Sequence, residues 1–476
     1  MRSLALILLS ACLTGCAVPL GPGFNQPFRA VDISASSIQP AQIQVQVTDS
    51  LENVGDRSLS ELEVVLPGGP SFGTTEVSVR VAERAVSFER INRGSGPALR
   101  IPFDPPWLQR EVRKIEFTYD LDPAAQGRGV VAATNDGFYL ADPNVFPSWQ
   151  PPVGPFATGS LRARTEELEV KVPADFHVLA VGNEEHGQRR DEFVLHRFKS
   201  RGAQFPPYVV AGRYQERRVN TQRGEVIFWT RQSLAENVAR AGAERLAATV
   251  ATYQNLFGPV MRNPFPIHIV ETSAELAPII VVTPNIAATS FPGGVLLDHR
   301  AVALGLATDP VLDLADYELA RTWFGWHVRP RPEVDLLLGR GMAIFAGVLA
   351  AEARGGIPAR QQGIRRLMET YESFGPAADE KTGFGPIVAY TRQQARAQSY
   401  KGALFLIELQ DTIGKETFYR ALRRVLAAMA GQEIGSDEFR SALEQEAGRN
   451  LAPVFHAWFD RSGLPAELRA RYAATR

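Results

Sequence analysis

The chain has 476 residues, of which 45% are hydrophobic and 22% are charged, and its formal net charge is −1. This composition is ordinary for globular proteins, and the length predicts about two to four domains. Because the charges are nearly balanced, the sequence gives no electrostatic basis for binding nucleic acid, and we expect no nucleic-acid partner.

Residues 1–15 predict a secretory signal peptide. The positively charged start, Met1-Arg2, precedes an apolar run from Leu4 to Leu13 that is too short to span a membrane. The run ends in Leu13-Thr14-Gly15-Cys16, which resembles a bacterial lipobox, where the Cys is lipidated and becomes the first mature residue. The alternative is an ordinary secretory signal with an incidental Cys.

Lipidation of Cys16 would attach the chain to a membrane of the bacterial cell envelope. Ala17 after Cys16 is typical of lipoproteins sent to the outer membrane, where the chain would face the periplasm. Residues 16–27 are rich in Pro and Gly and predict a tether between the lipid and the first domain. Since Cys12 lies in the leader, we expect no internal disulfide and no Cys-ligated metal in the mature domains.

Residues 28–215 predict an antiparallel β-sandwich domain. Hydrophobic and polar side chains alternate there, as at Ile43, Val45 and Val47, and clusters rich in Gly and Pro interrupt the runs. This alternation is typical of strands with one buried face, and the short runs between turns favour a sandwich.

The pattern changes after the first domain. Residues 216–357 predict an α/β domain in which a long helix, from about Ala235 to Leu256, lies between two strands. Residues 358–476 predict a series of helices separated by turns. We therefore expect an α+β multidomain protein with an N-terminal antiparallel β-sandwich, an α/β domain and C-terminal helices.

Two helical segments near the centre of the chain resemble those of a known family. The first reads Tyr317-Glu318-Leu319-Ala320-Arg321-Thr322-Trp323-Phe324-Gly325, and the second reads Leu337-Leu338-Gly339-Arg340-Gly341-Met342-Ala343. They resemble the aminopeptidase N-like gluzincin metallopeptidases, in which His-Glu-x-x-His and a Trp-Phe-Gly-like run precede a Glu ligand on a second helix. Arg321 and Arg340 are separated by the family's spacing of 18 residues. The resemblance implies that the α/β domain is thermolysin-like.

The resemblance places three zinc ligands at Tyr317, Arg321 and Arg340, and the general base at Glu318. A guanidinium group stays charged and has no acceptor, so two Arg at ligand positions oppose a zinc ion. The seven His include no pair at i,i+3 or i,i+4 spacing. We therefore expect no metal and no other cofactor, and zinc only under the alternative that the site is relocated or unusual.

Two further family elements are altered as well. Where the resemblance implies a Gly-x-Met-Glu-Asn strand that binds the substrate's amino terminus, an ungapped count reaches residues 281–285 and retains only Asn285. The family's Tyr-x-Lys-Gly run corresponds to Ser399-Tyr400-Lys401-Gly402, in which Tyr400 lies one residue late. One residue is about 100° on a helix, so Ser399 takes the position of the family's Tyr.

These substitutions favour a pseudopeptidase that binds, scaffolds or senses. Arg321 and Arg340 would either neutralise carboxylates such as Glu318, Asp316 or Asp335, or bind a peptide or other anionic ligand in the cleft. An active zinc aminopeptidase and a purely structural envelope protein are the alternatives. The sequence carries no signal for an oligomeric state.

Overall fold

The computed structural model describes most of the chain. The described residues are 19–21, 24–38, 41–65, 74–93, 96–121, 131–134, 137–141, 146–147, 166–200, 208–231, 234–260, 266–272, 281–283, 286–298, 302, 307–309, 312–375 and 390–472. Residues 1–15, Cys16 and Asn285 lie outside them, so the predictions made for these positions remain predictions.

Contacts divide the chain into two compact units, Met1–Gly212 and Arg213–Arg476. The expected α+β class, with β-sheets first and helices last, is confirmed. The five domain segments predicted from the sequence remain a prediction.

The first unit is built from strands. They are β1 (Pro19–Gly21), β2 (Phe24–Ile38), β3 (Ala41–Asn53), β4 (Leu59–Val65), β5 (Thr74–Val81), β6 (Arg84–Val86), β7 (Glu89–Arg93), β8 (Gly96–Trp107), β9 (Val112–Leu121), β10 (Val131–Thr134), β11 (Gly137–Ala141), β12 (Glu167–Pro173), β13 (His177–Ala180), β14 (Asn183–Arg190), β15 (Phe193–Lys199) and β16 (Tyr208–Gly212).

Within the described part of this unit, the largest sheet has nine strands. Its order is β14-β15-β12-β2-β3-β9-β5-β6, with β1 beside β2. Two smaller sheets have the orders β10-β11-β16-β13 and β4-β8-β7. The predicted alternation is present in β3, where Ile43, Val45 and Val47 are at most 2% exposed. One face of each such strand is therefore buried, as period-two patterning requires.

The second unit combines a mixed sheet with helices. Its strands are β17 (Gln215–Thr221), β18 (Gly224–Thr230), β19 (Ile267–Thr272), β20 (Val281–Thr283), β21 (Ile286–Phe291), β22 (Gly294–Asp298), β23 (Ala307–Asp309), β24 (Leu312–Asp313), β25 (Arg329–Pro330) and β26 (Glu433–Ile434). The main sheet has the order β17-β18-β19-β22-β21-β20. Strand β19 is parallel to both of its neighbours, as α/β connections favour.

The described helices of the second unit follow the predicted series. They are α1 (Glu236–Phe257), α2 (Leu314–Arg321), a 3-10 turn (Pro332–Val334), a π-helix (Asp335–Gly341), α3 (Met342–Ser373), α4 (Arg392–Ile413), α5 (Lys415–Ala428), α6 (Ser436–Ala447), α7 (Ala452–Phe459) and α8 (Ala466–Tyr472).

The stretch Pro332–Ser373 is long and apolar enough to cross a membrane by length and composition alone. However, 83% of its most apolar window is buried inside the protein. A core helix of a globular domain has this property, and the burial accounts for its hydropathy without a membrane.

Helix α2 is held at the centre of the second unit by an aromatic cluster. The Trp323 side chain, just after the helix, is fully buried, and its indole nitrogen donates to the carbonyl oxygen of Gly258 at 2.9 Å. Its ring packs edge-on against Tyr253 of α1, with 5.7 Å between ring centroids. The Tyr253 hydroxyl in turn donates to the carbonyl oxygen of Asp316 at 3.1 Å. These contacts fix α2 against α1.

His268 makes the second unit sensitive to acid. The Trp229 indole nitrogen donates to His268 Nδ1 at 3.0 Å, an arrangement that requires this nitrogen to be unprotonated. Burial, and secondarily the charge of Arg218, lower the pKa of His268 from 6.5 to about 4. The folded protein therefore holds a neutral imidazole at pH values where the unfolded chain would bind a proton.

We predict that this imidazole destabilises the protein as the pH falls. The folded pKa is below the unfolded one, so its contribution is complete above pH 6.5 and is lost between about 6.5 and 4. At about 1.4 kcal/mol per pH unit, the loss over this window is at most roughly 3.5 kcal/mol. The His268→Gln variant keeps an acceptor for the indole and should flatten the pH dependence of urea unfolding over this range. The exposed His177→Gln substitution is the control, and equal slopes in all three proteins would contradict the assignment.

Candidate functional site

Helix α2 begins at a capped residue and presents Tyr317 and Arg321 on one face. The Asp313 carboxylate accepts from the backbone N–H of Ala315 at 2.9 Å, which satisfies a donor at the helix start. Residues four apart in a helix lie on the same side, and the Tyr317 and Arg321 side chains are close enough to interact electrostatically. Two of the three predicted ligand positions are thus neighbours on one face of the helix.

The third ligand position, Arg340, lies in the π-helix. A π-helical turn holds more residues than an α-helical turn, so residues five apart come close to the same side. Arg340 is five residues after Asp335, and its Nε lies 3.6 Å from Asp335 Oδ2. The other oxygen, Oδ1, lies 3.9 Å from Arg321 Nη1. One carboxylate therefore lies between the two guanidinium groups.

Two glycines make room for this arrangement. A Cβ at Gly339 would overlap with Asp335 Oδ1 and would lie 3.3 Å from Arg321 Nη1. A Cβ at Gly325, the last residue of the Trp-Phe-Gly run, would lie 3.5 Å from Arg321 Cζ and 3.0 Å from the Arg321 carbonyl oxygen. Any larger residue at Gly339 would displace the carboxylate that separates the two cations.

Glu318, at the predicted general-base position, is held by the sheet. It is buried, and its carboxylate accepts hydrogen bonds from both the hydroxyl and the backbone N–H of Ser290 on β21. Burial raises the pKa of Glu318, whereas the charge of Arg321 and the Ser290 hydrogen bonds oppose that rise. This carboxylate is therefore held by Ser290 and is stabilised in its charged form by the nearby Arg321.

Asp316, which the sequence offered as a further partner for the two arginines, has other partners. Its carboxylate accepts from Arg354 Nη2 at 2.5 Å and from the Thr249 hydroxyl at 3.0 Å. It therefore joins α2 to α1 and α3. Of the carboxylates considered from the sequence, Asp335 is the one that contacts both Arg321 and Arg340.

Ser399 and Tyr400 lie on α4 and are both buried. The Ser399 hydroxyl donates to the carbonyl oxygen of Ala395, one turn earlier, at 2.8 Å. The Tyr400 ring packs edge-on against Phe374, with 5.7 Å between centroids. The Ser399 hydroxyl thus bonds to its own helix and the Tyr400 ring packs against a neighbouring ring, and the predicted cleft role of both residues remains a prediction.

The glycines that carry the family resemblance pack two helices together. A Cβ at Gly341 would lie 3.2 Å from the backbone nitrogen of Ala403 on α4. A Cβ at Gly402 would lie 3.2 Å from the Cα of Leu337 in the π-helix. Both contacts are to backbone or to atoms next to it, which cannot move away cheaply. The close approach of the π-helix and α4 therefore favours glycine at both positions.

The side chains at the ligand positions do not fit a zinc ion. Zinc takes neutral imidazole nitrogen, carboxylate oxygen or thiolate, whereas this site presents a phenol and two guanidinium groups. Within the described residues, no group of three His, Cys, Asp or Glu side chains is placed to hold a metal. His327, the nearest histidine in sequence, is buried, and its Nε2 lies 3.0 Å from the carbonyl oxygen of Leu426.

Comparison with solved structures assigns the fold. The M1 zinc metallopeptidase from Deinococcus radiodurans is 16% identical, with 93% of this chain and 95% of that chain covered and a TM-score of 0.63. Legionella pneumophila aminopeptidase A, solved with aspartic acid, is also 16% identical and has a TM-score of 0.67. The match covers 93% of this chain and 50% of that chain. This chain has the fold of the M1 zinc metallopeptidases. The resemblance inferred from the two helical segments is confirmed at this level.

Sequence comparison points the same way over part of the chain. Aminopeptidase M1-A of Oryza sativa subsp. japonica is 29% identical over 156 residues, which cover 31% of this chain and 17% of that protein. Aminopeptidase M1-B from the same plant is 25% identical over 260 residues, which cover 51% of this chain and 28% of that protein. The chain thus spans less than a third of these M1 aminopeptidases, and no protein family model matches it.

Sequence reasoning missed two features of this M1-fold site. The π-helix has no local sequence signature here, although the five-residue spacing of Asp335 and Arg340 is compatible with it. Ser290 stands in an ordinary strand sequence, Ile286–Phe291, and no motif indicates that it holds Glu318. Both depend on tertiary contacts between segments distant in sequence.

We predict that a side chain at Gly341 or Gly402 weakens the contact between the π-helix and α4. Because each new Cβ would meet backbone at about 3 Å, Gly341→Ala and Gly402→Ala should each lower the free energy of unfolding by about 1–3 kcal/mol. Gly363→Ala in α3 is the matched control. Its Cβ would make ordinary 3.6 Å contacts, so it should leave stability unchanged or raise it by up to about 1 kcal/mol. Urea denaturation measures all three, and equal effects would contradict the packing argument.

Proposed function

We propose that this chain is a lipid-anchored protein of the bacterial cell envelope that uses the M1 fold to bind or scaffold rather than to hydrolyse peptides. The observation that carries the proposal is the Asp335 carboxylate between Arg321 and Arg340, where the family would have a metal and its ligands. Lipidated Cys16 anchors the chain to the outer membrane, with its folded units in the periplasm.

Hydrolysis by this fold depends on a metal that activates water and polarises the substrate carbonyl. Of the three ligand positions, the two arginines have no lone pair for zinc, and Tyr317 could bind zinc only after its phenol loses a proton. Burial raises the pKa of that phenol, which opposes the loss. Glu318 retains its position but is bound by Ser290 and faces Arg321. These residues support an inactive site.

The same residues support binding of an anionic group, such as the carboxylate of a peptide. The Arg321 and Arg340 side chains are 21% and 26% exposed, so solvent reaches both. Their contacts with Asp335, at 3.9 and 3.6 Å, are longer than a direct hydrogen bond. A ligand carboxylate that makes paired, short hydrogen bonds to guanidinium groups would therefore improve on the internal contact.

We predict that the wild-type protein binds no stoichiometric zinc and does not hydrolyse aminoacyl reporter substrates. In contrast, the variant Tyr317→His/Arg321→His/Arg340→Glu restores three zinc-type ligands on the same helices and should bind about one zinc per chain. Metal analysis after dialysis against zinc measures both, and the double variant Arg321→His/Arg340→Glu is the control for nonspecific uptake. One zinc per wild-type chain with chelator-sensitive hydrolysis would establish the alternative, an active aminopeptidase with an unusual site.

We predict that a short N-acetylated peptide binds through its terminal carboxylate. Calorimetry should detect binding of the peptide with a free C-terminal carboxylate. The same peptide with a C-terminal amide should bind at least about tenfold more weakly, because charge-assisted hydrogen bonds contribute about 1.5–3 kcal/mol. Arg321→Gln should weaken the acid by a similar factor. Arg331→Gln, which removes an exposed partner of Glu438, is the control. Lower stability of Arg321→Gln with equal binding of acid and amide would mean that the arginines serve only to hold the helices.

A further inference from the structure

The turn between β8 and β9 carries two exposed apolar side chains. Leu108 is 60% exposed and Val112 is 55% exposed. Among the described residues, Ile357 is the one other large hydrophobic residue with comparable exposure. Isolated exposed apolar side chains are common, but two at one turn need an explanation if the turn is rigid and close to another surface.

This turn is rigid. The backbone N–H of Glu111 donates to the Leu108 carbonyl oxygen at 3.2 Å, and the Glu111 carboxylate accepts from the Leu108 N–H at 2.8 Å. The buried Trp107 indole donates to the Glu111 carbonyl oxygen at 2.9 Å. The Arg110 N–H donates to the Asn53 carbonyl oxygen at 2.7 Å. The turn is therefore fastened to the end of β3 and projects its apolar side chains from a fixed backbone.

Strand register brings this turn to the end of the sheet where the chain enters. Pro19 of β1 pairs with Asn25, Asn25 pairs with Glu52, and Glu52 pairs with Val112. Adjacent strands lie about 4.8 Å apart, so Pro19 and Val112 are separated by roughly 14 Å across the sheet. The N-terminal strand and the apolar turn thus share one end of the first unit.

Cys16 is three residues before Pro19. Three residues span at most about 11 Å even when fully extended. A lipid on Cys16 must therefore hold the membrane surface within a short distance of this end of the sheet, where the exposed turn also lies. The chain is too short here to let the sheet move far from the bilayer.

We propose that Leu108 and Val112 rest in the headgroup region of the phospholipid bilayer and orient the first unit on the membrane. The proposal depends on lipidation of Cys16, as proposed above. A bilayer is the occupant that the tether brings to these side chains, and burying them there removes apolar surface from water. The lipid supplies the attachment, and the turn fixes which end of the sheet faces the membrane.

Site-specific fluorescence tests the contact in the full-length lipoprotein. Lipid occupies the Cys16 sulfur, and Cys12 leaves with the leader, so a new cysteine is the single reactive thiol. Leu108→Cys and Val112→Cys would carry an environment-sensitive fluorophore in vesicles of phosphatidylethanolamine and phosphatidylglycerol that contain a doxyl-labelled lipid. Because interfacial groups lie about 5–10 Å into the boundary region, the doxyl lipid should quench about half or more of their emission.

Glu192→Cys is the matched control. Glu192 is exposed in the turn between β14 and β15. The next residue, Phe193, pairs with Pro173 at the end of β12. Because β12 is parallel to β2, this end of the sheet is opposite the end where β2 begins at Phe24. Its label should be quenched by less than about a tenth, because it lies beyond the interface. Equal quenching at positions 108, 112 and 192, or none at 108 and 112 in lipidated protein, would overturn the contact.

A second variant tests whether the apolar pair makes the contact. A label at Gln109→Cys, which is exposed in the same turn, should be quenched in the otherwise wild-type chain. In a Leu108→Ser/Val112→Ser background its quenching should fall to the level of position 192, with an unchanged Tm. Persistent quenching would contradict the proposal. Mass spectrometry that finds an unmodified Cys16 would overturn the anchor and this contact together, whereas a lipidated but unquenched chain would overturn the contact alone.

Discussion

Two guanidinium groups held close together in a partly buried site repel each other, and a carboxylate between them offsets that repulsion. In this protein Asp335 is that anion, with one oxygen toward Arg321 and the other toward Arg340. Removing one member of such a cluster leaves uncompensated charge, which costs more than the intact cluster contributes. The local structure around the site is arranged so that this one carboxylate can reach both cations.

That requirement explains features that would otherwise look unrelated. The π-helix brings residues five apart to the same side and so places Arg340 over Asp335. Gly339 and Gly325 leave space for the carboxylate and for the Arg321 guanidinium. A π-turn is less favourable than continued α-helix and is frequent at functional sites. Here it places Asp335 beside both Arg321 and Arg340, so these three charged groups form one ion cluster.

The sequence predicted the parts of this arrangement that depend on local periodicity. Helical spacing put Tyr317 and Arg321 on one face, and the two side chains interact electrostatically there. A plain α-helical reading of the second segment would separate Asp335 from Arg340 by about 140°, because each residue turns the helix by about 100°. Only a change of helix type, stabilised by packing against Gly402, brings them together. The Ser290 contact with Glu318 and the acid-sensitive His268 arise from sheet neighbours, which spacing along one segment does not reveal.

The residues that carry the family resemblance are therefore packing residues. Trp323 fills the core against α1, and Gly341 and Gly402 allow two helices to approach. These packing residues stabilise the fold independently of which side chains occupy the site between the helices. The ligand positions, in contrast, contribute to chemistry first and to packing second, so they can change while the fold persists. Similarity to the fold therefore reflects the residues that stabilise it. Activity depends on the chemistry of Tyr317, Glu318, Arg321 and Arg340.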